Sequence, residues 1–146
     1  MQNQEKLFMV DIIKNKLTVT ESTLVQIVEG ACNLTLTEIR SSSRRNHLVI
    51  ARSILGYMLR SETGCTFYRV GEIIGRDHAS VIKYVKDFKD NVLWYKKYKD
   101  TYNLIETYRK EQYSDISLQM MNTQIFQIES QLEILKQKQS VLIKNQ

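Results

Sequence analysis

No proline occurs anywhere in the 146 residues, and glycine occurs only five times. Proline removes a backbone donor and clashes inside a helix, and glycine weakens a helix through backbone entropy. A chain nearly free of both is able to run as one helix after another. Its apolar residues recur every three or four positions, as helices require. The expected fold class is all-α. At this length, with 42% hydrophobic residues, the chain holds one compact domain and an appendage.

The pattern divides the chain into four segments. Residues 1–19 carry an accessory helix, Gln4 to Asn15, with Leu7, Phe8, Val10, Ile12 and Ile13. Residues 20–92 read as a domain. Its first helix is capped at Thr20 or Ser22 and carries Leu24, Val25, Ile27 and Val28; a short turn follows at Thr35 to Ile39, then a long apolar helix through Ile54, Leu55, Met58 and Leu59. Phe67, Val70, Ile73 and Ile74 form a short amphipathic helix, opened by Thr66 and closed by Gly75. Asp77 is placed to cap a further helix starting near His78. From there Val81, Ile82, Val85 and Phe88 turn toward a core, while Ser80, Lys83 and Lys86 fall on the other side.

Two short helices meeting at a glycine have helix-turn-helix spacing. In such a unit the second helix enters the major groove and its first residues reach base edges. Here those residues are Asp77, His78, Ala79 and Ser80. Charge points the same way: between Arg40 and Lys110 stand 15 Lys and Arg against 7 Asp and Glu, while the remaining residues hold 6 against 9. A basic block that coincides with a reading unit is the electrostatic footprint expected for phosphates.

The run Val70-Gly71 followed by Gly75-Arg76-Asp77-His78-Ala79-Ser80-Val81-Ile82 resembles the signature of the DNA-binding C-terminal domain of the DnaA family of bacterial replication initiators. Arg52, Arg60, Thr63-Gly64 and the stretch Ser41-Ser42-Ser43-Arg44-Arg45 follow that family's order, and the likeness covers Thr23 to Asn91. The resemblance implies that Arg44, with Arg45 as neighbour and substitute, enters the minor groove. It also implies that Arg52 reads a base in the major groove beside Ser53, and that Asp77, His78, Ala79 and Ser80 contact bases and phosphates. Arg76 and Lys83 are expected on phosphate, as long cations flanking a reading helix usually are. Ser53 stands where the family usually has glutamine, Ala79 has lost a hydroxyl, and one glycine before Arg76 is missing; a related recognition site with altered preference is expected.

Residues 93–113 read as a connecting helix dense in Trp94, Tyr95, Tyr98, Tyr102, Tyr108 and lysine. Aromatics at helical spacing cover a core or a partner helix, or stack on nucleic acid. Residues 114–146 change character. Leu118, Ile125, Leu132 and Gln139 take heptad a positions and Met121, Ile128, Leu135 and Leu142 take d, the seam of a coiled coil. A homo-oligomer, simplest as a dimer, is expected through this stripe. Folding back on the domain and gripping a replication protein are the other readings.

Neither catalysis nor a cofactor is expected. No Gly-x-x-x-x-Gly-Lys-Ser/Thr phosphate loop and no catalytic constellation occurs. Cys32 and Cys65 are isolated, with only His47 and His78 as companions, which indicates no metal and no disulfide framework. No apolar run approaches a membrane span and the N-terminus lacks a signal peptide's layout, so a cytoplasmic location is expected, on the nucleoid or in a host if a phage carries the gene. Two functions fit. One is sequence-specific binding of double-stranded DNA, as a non-ATPase regulator of replication initiation or transcription. The other is a protein-interaction module with non-specific DNA affinity that recruits replication proteins through its tail.

Overall fold

A computed structural model describes residues 2–145 and contains seven α-helices and no strand among them: α1 Gln2–Asn15, α2 Val19–Cys32, α3 Leu36–Ile39, α4 Asn46–Thr63, α5 Phe67–Ile74, α6 His78–Trp94 and α7 Lys96–Lys144. The all-α expectation holds. The described chain falls into two units, one running to Arg109 and one starting at Lys110.

In the first unit α4 is the central element, buried from Ile50 through Leu55 and again at Met58 and Leu59. Against it pack α2 through Val25 and Val28, α5 through Val70, Ile73 and Ile74, and α6 through Val81 and Phe88. Val10 of α1 joins the same core.

Side chains set the helix ends. Thr18 caps α2 in a reciprocal box, its hydroxyl accepting from the Glu21 N–H (3.2 Å) while Glu21 Oε1 accepts from the Thr18 N–H (2.9 Å). That corrects the start expected at Thr20 or Ser22: the Thr-x-x-Glu spacing decides. Glu21 is 2% exposed, and Arg69 of α5 clamps it with Nη2 at 3.0 Å and Nε at 3.1 Å. Burial pushes this carboxyl up, but hydrogen bonds from Arg69, the Thr18 backbone and Cys65 outweigh burial and hold it at about 2. Thr35 caps α3 in the same reciprocal manner with Glu38, while Thr66 and Asp77 cap α5 and α6 by accepting the Arg69 and Ser80 N–H.

The turn between α5 and α6 is the tightest joint. Gly75 takes a left-handed φ of 72°, which glycine adopts without strain. The Arg76 N–H donates to the Gly71 carbonyl at 2.9 Å, and a β-carbon on Gly71 would lie 2.3 Å from the Arg76 carbonyl oxygen. Both glycines belong to the signature, and both are needed for this closure.

Three expectations about packing change. Ile82 is 41% exposed rather than in the core, because α6 turns Val81, Tyr84, Val85 and Phe88 inward and Ile82 sits on the outer face with Lys83 and Lys86. The core does not end at residue 92: Tyr98 and Ile105 of α7 are buried in it, and Gly30 of α2 lets Tyr108 approach. The divisions drawn at 93 and 114 fall inside α6 and α7, whereas the helix breaks at Tyr95, whose φ of −114° and ψ of 110° are extended. Neither proline nor glycine marks that break.

In the second unit the described residues are helical to Lys144, and every side chain is exposed. Its heptad positions Leu118, Met121, Ile125, Ile128, Leu132, Leu135 and Leu142 are each more than half exposed. No described helix is long and apolar enough to cross a membrane.

Candidate nucleic-acid interface

The N-terminal turn of α6 presents the expected reading residues. Asp77 Oδ1 accepts the Ser80 N–H at 2.9 Å, and hydrogen bonds from the Ser80 hydroxyl and N–H hold the Asp77 carboxyl below its ordinary range. This contact spends the carboxylate on the helix start, leaving His78 and Ala79 fully on the surface and Ser80 half-buried. The His78 ring stacks on Tyr68 of α5, centroids 4.4 Å apart and planes 27° apart. Tyr68 is itself 70% exposed, so it orients the imidazole without covering it. Ala79, Ile82, Lys83 and Lys86 recur at helical spacing along one exposed face.

The basic loop lies alongside. Arg44 and Arg45 are exposed, Arg45 being the residue that precedes α4. Asn46, next in the chain, lines one groove of about 770 Å³ together with Ser80 and Lys83 of α6. The tertiary fold thus brings the start of α4 and the start of α6 to one surface.

Arginines brace that loop from beneath. Arg52 donates from Nε to the Ile39 carbonyl (2.6 Å) and from Nη2 to those of Ser41 (2.9 Å) and Ser43 (3.3 Å). Arg76 donates to the carbonyls of Gly75 (2.7 Å) and Ser41 (2.6 Å), and Arg40 to that of Ile73 (2.9 Å) at the end of α5. Burial lowers the pKa of Arg40 and Arg52, and the neighbouring Arg76 charge lowers both further. Both guanidiniums stay charged, because arginine does not deprotonate in proteins.

This geometry gives three of the expected contact residues partners within the protein. Arg52 is 2% exposed, and its guanidinium is committed to backbone carbonyls, so it positions the loop. Ser53 is 4% exposed, its hydroxyl 3.0 Å from that of Tyr98. Arg76, half-buried, likewise holds the loop through the Ser41 carbonyl. Helical spacing carried the signal for Arg52, which lies four residues after buried Leu48 and three before buried Leu55. Sequence reading missed Tyr68 and Arg40, whose roles come from contacts distant in the chain, and misassigned Ile82.

A buried three-helix core, a glycine-closed joint and a basic loop beside the start of the outer helix define a helix-turn-helix domain with an electropositive face. Comparison with known families makes this specific. Residues 22–87 match the bacterial DnaA protein helix-turn-helix family. The chain is 30% identical over 102 residues to the chromosomal replication initiator protein DnaA of Spiroplasma citri, covering 69% of this chain and 23% of that protein. It is 32% identical over 68 residues to the DnaA of Crocosphaera subtropica (46% and 15%) and 27% identical over 85 residues to that of Kosmotoga olearia (54% and 19%). Over residues 22–87 the chain is thus similar to the DnaA helix-turn-helix domain. It spans less than a quarter of the length of these relatives.

Proposed function

We propose that the protein binds double-stranded DNA in a sequence-specific manner at sites related to those of DnaA, and regulates replication initiation or transcription. The observation that carries this reading is the joint surface of Asn46, Ser80 and Lys83, where Asn46 follows exposed Arg44 and Arg45 in the chain and Ser80 follows exposed His78 and Ala79. His78, Ala79 and Ile82 enter the major groove, where methyl groups of Ala79 and Ile82 suit thymine methyls and the imidazole offers hydrogen bonds to base edges. Arg44 reaches the narrow minor groove of A·T-rich sequence, with Arg45 beside it. Lys83 and Lys86 meet phosphates, while Arg52 and Arg76 hold the loop in place and Arg40 ties the end of α3 to the end of α5.

The tail pairs with a second copy. Its exposed heptad stripe from Leu118 to Leu142, with Gln139 as the lone polar a position, suits a coiled coil of defined strand number. Two linked domains convert the second binding event into an intramolecular one.

Fluorescence anisotropy tests this reading, with a duplex carrying a DnaA-type site, a scrambled duplex of equal composition, and a salt series. Preference that persists as salt rises is the expected result. Equal binding to both, collapsing together with salt, overturns specific readout and favours the recruitment of replication proteins through the tail.

A further inference from the structure

We infer that the corner between α6 and α7, formed by Trp94, Tyr95, Lys96 and Lys97, is a second DNA-contacting site that grips the phosphate backbone flanking the recognition sequence. This rests on the duplex-binding reading above. The corner lies beyond residues 22–87, the span of the family match.

The groove of about 770 Å³ that starts at Asn46, Ser80 and Lys83 runs along α6 and ends at Trp94, Lys96 and Lys97. A strand lying on the reading surface has a continuous path to the corner. The charges along that path are Lys83, Lys96 and Lys97 against Asp87 alone, a balance that attracts a polyanion.

The aromatics divide sharply. Tyr98 and Tyr102 pack edge-on to Phe88, with centroids 5.9 and 5.1 Å away, and serve the core. Trp94 and Tyr95, just before them, are 78% and 64% exposed. The corner is also held in place, because Tyr98 is buried and its hydroxyl lies 3.0 Å from that of Ser53 on α4. That contact ties the first turn of α7 to the helix whose own first turn carries Asn46. Lys96 and Lys97 therefore start from a fixed backbone. Flexible cations on a fixed backbone favour phosphate over base edges, and exposed aromatic faces suit sugars. The partner class is the duplex backbone.

Trp94 is the only tryptophan of the chain, so its emission reports on this corner alone. The full chain is titrated with a duplex carrying a DnaA-type site and long flanks, and with one trimmed close to the site. The expected result is a change in Trp94 emission with the long duplex that is absent with the trimmed one. The double variant Lys96→Ala/Lys97→Ala binds the long duplex with a log–log salt slope shallower by about two, at roughly 0.9 per phosphate contact, and binds the trimmed duplex as the parent does. Both lysines are exposed, so the fold is retained. Unchanged emission at saturation together with an unchanged slope overturns the inference. If His78→Ala still weakens binding in that case, the duplex-binding reading stands without it. If the parent protein binds no duplex, both fall.

Discussion

Arg44 and Arg52 show how two arginines a few positions apart in one basic stretch do different work. Arg44 is exposed, whereas the Arg52 guanidinium is committed to three loop carbonyls. Replacing Arg44 by Ala is expected to weaken binding at A·T-rich sites by about 1–3 kcal/mol with no change in melting temperature. Replacing Arg52 by Ala is expected to weaken binding and also to destabilise the fold by about 2–3 kcal/mol, since loop carbonyls lose charged donors. Anisotropy and thermal melting, done on both variants, separate reading from bracing. Glu21 gives a pH signature. Its folded pKa is lowered from 4.5 to about 2, so its contribution is fully present above about pH 4.5 and is lost as pH falls toward 2. The expected magnitude is roughly 3 kcal/mol at most, and Glu21→Gln flattens that part of the stability–pH curve in urea denaturation. Unchanged acid sensitivity in this variant would show that other carboxylates govern it. Which arginine reads and which braces was not evident from residue type, because both are long cations in a basic stretch. Helical spacing from Leu48 and Leu55, with the burial of α4 on several sides, assigns Arg52 inward.

At the scale of elements, the α5–α6 joint was legible in full. Thr66 and Asp77 cap, Gly75 turns, and the limits Phe67–Ile74 and the start of α6 at His78 follow from them. Local chemistry decides such a joint, because cap and turn energies depend on residues within a few positions. Gly71→Ala tests it: the added β-carbon meets a backbone oxygen at 2.3 Å, which has no flexible side chain to yield. A loss of about 1–3 kcal/mol or more in denaturation is expected, with DNA affinity falling in step as α6 is displaced. The break at Tyr95 was not legible. No proline or glycine stands there, and the chain leaves the helix because Tyr98 and Ile105 are drawn into the core on a new axis. Ile82 was misread for a related reason. Periodicity allots a residue at the edge of an apolar stripe to either side, and the width of the neighbouring helices determines which.

For the whole molecule, the question is what the tail adds to the domain. The stripe from Leu118 to Leu142 is exposed along its length, and a second copy is the occupant that its heptads suit. The double variant Ile125→Glu/Leu132→Glu in the full chain is expected to give a monomer by sedimentation. Its affinity for a single site is expected to stay unchanged, and its affinity for two suitably spaced sites to fall by roughly 10²–10⁴-fold. A parent chain that already sediments as a monomer would remove this source of avidity.

By itself the sequence determined the helical class, the caps and turn of the joint, the DnaA-type motif, the basic block and the heptad stripe. Each of these depends on neighbours within about a turn or two, or on summed composition. Tertiary structure alone decided that Arg52 and Arg76 converge on one loop, that Arg40 reaches the end of α5, that His78 stacks on Tyr68, and that the core continues through Tyr98 to Ile105. Those relations join residues about ten or more positions apart. Their formation depends on which helix faces pack together, and that choice rests on the shape and volume of the whole core rather than on any local pattern.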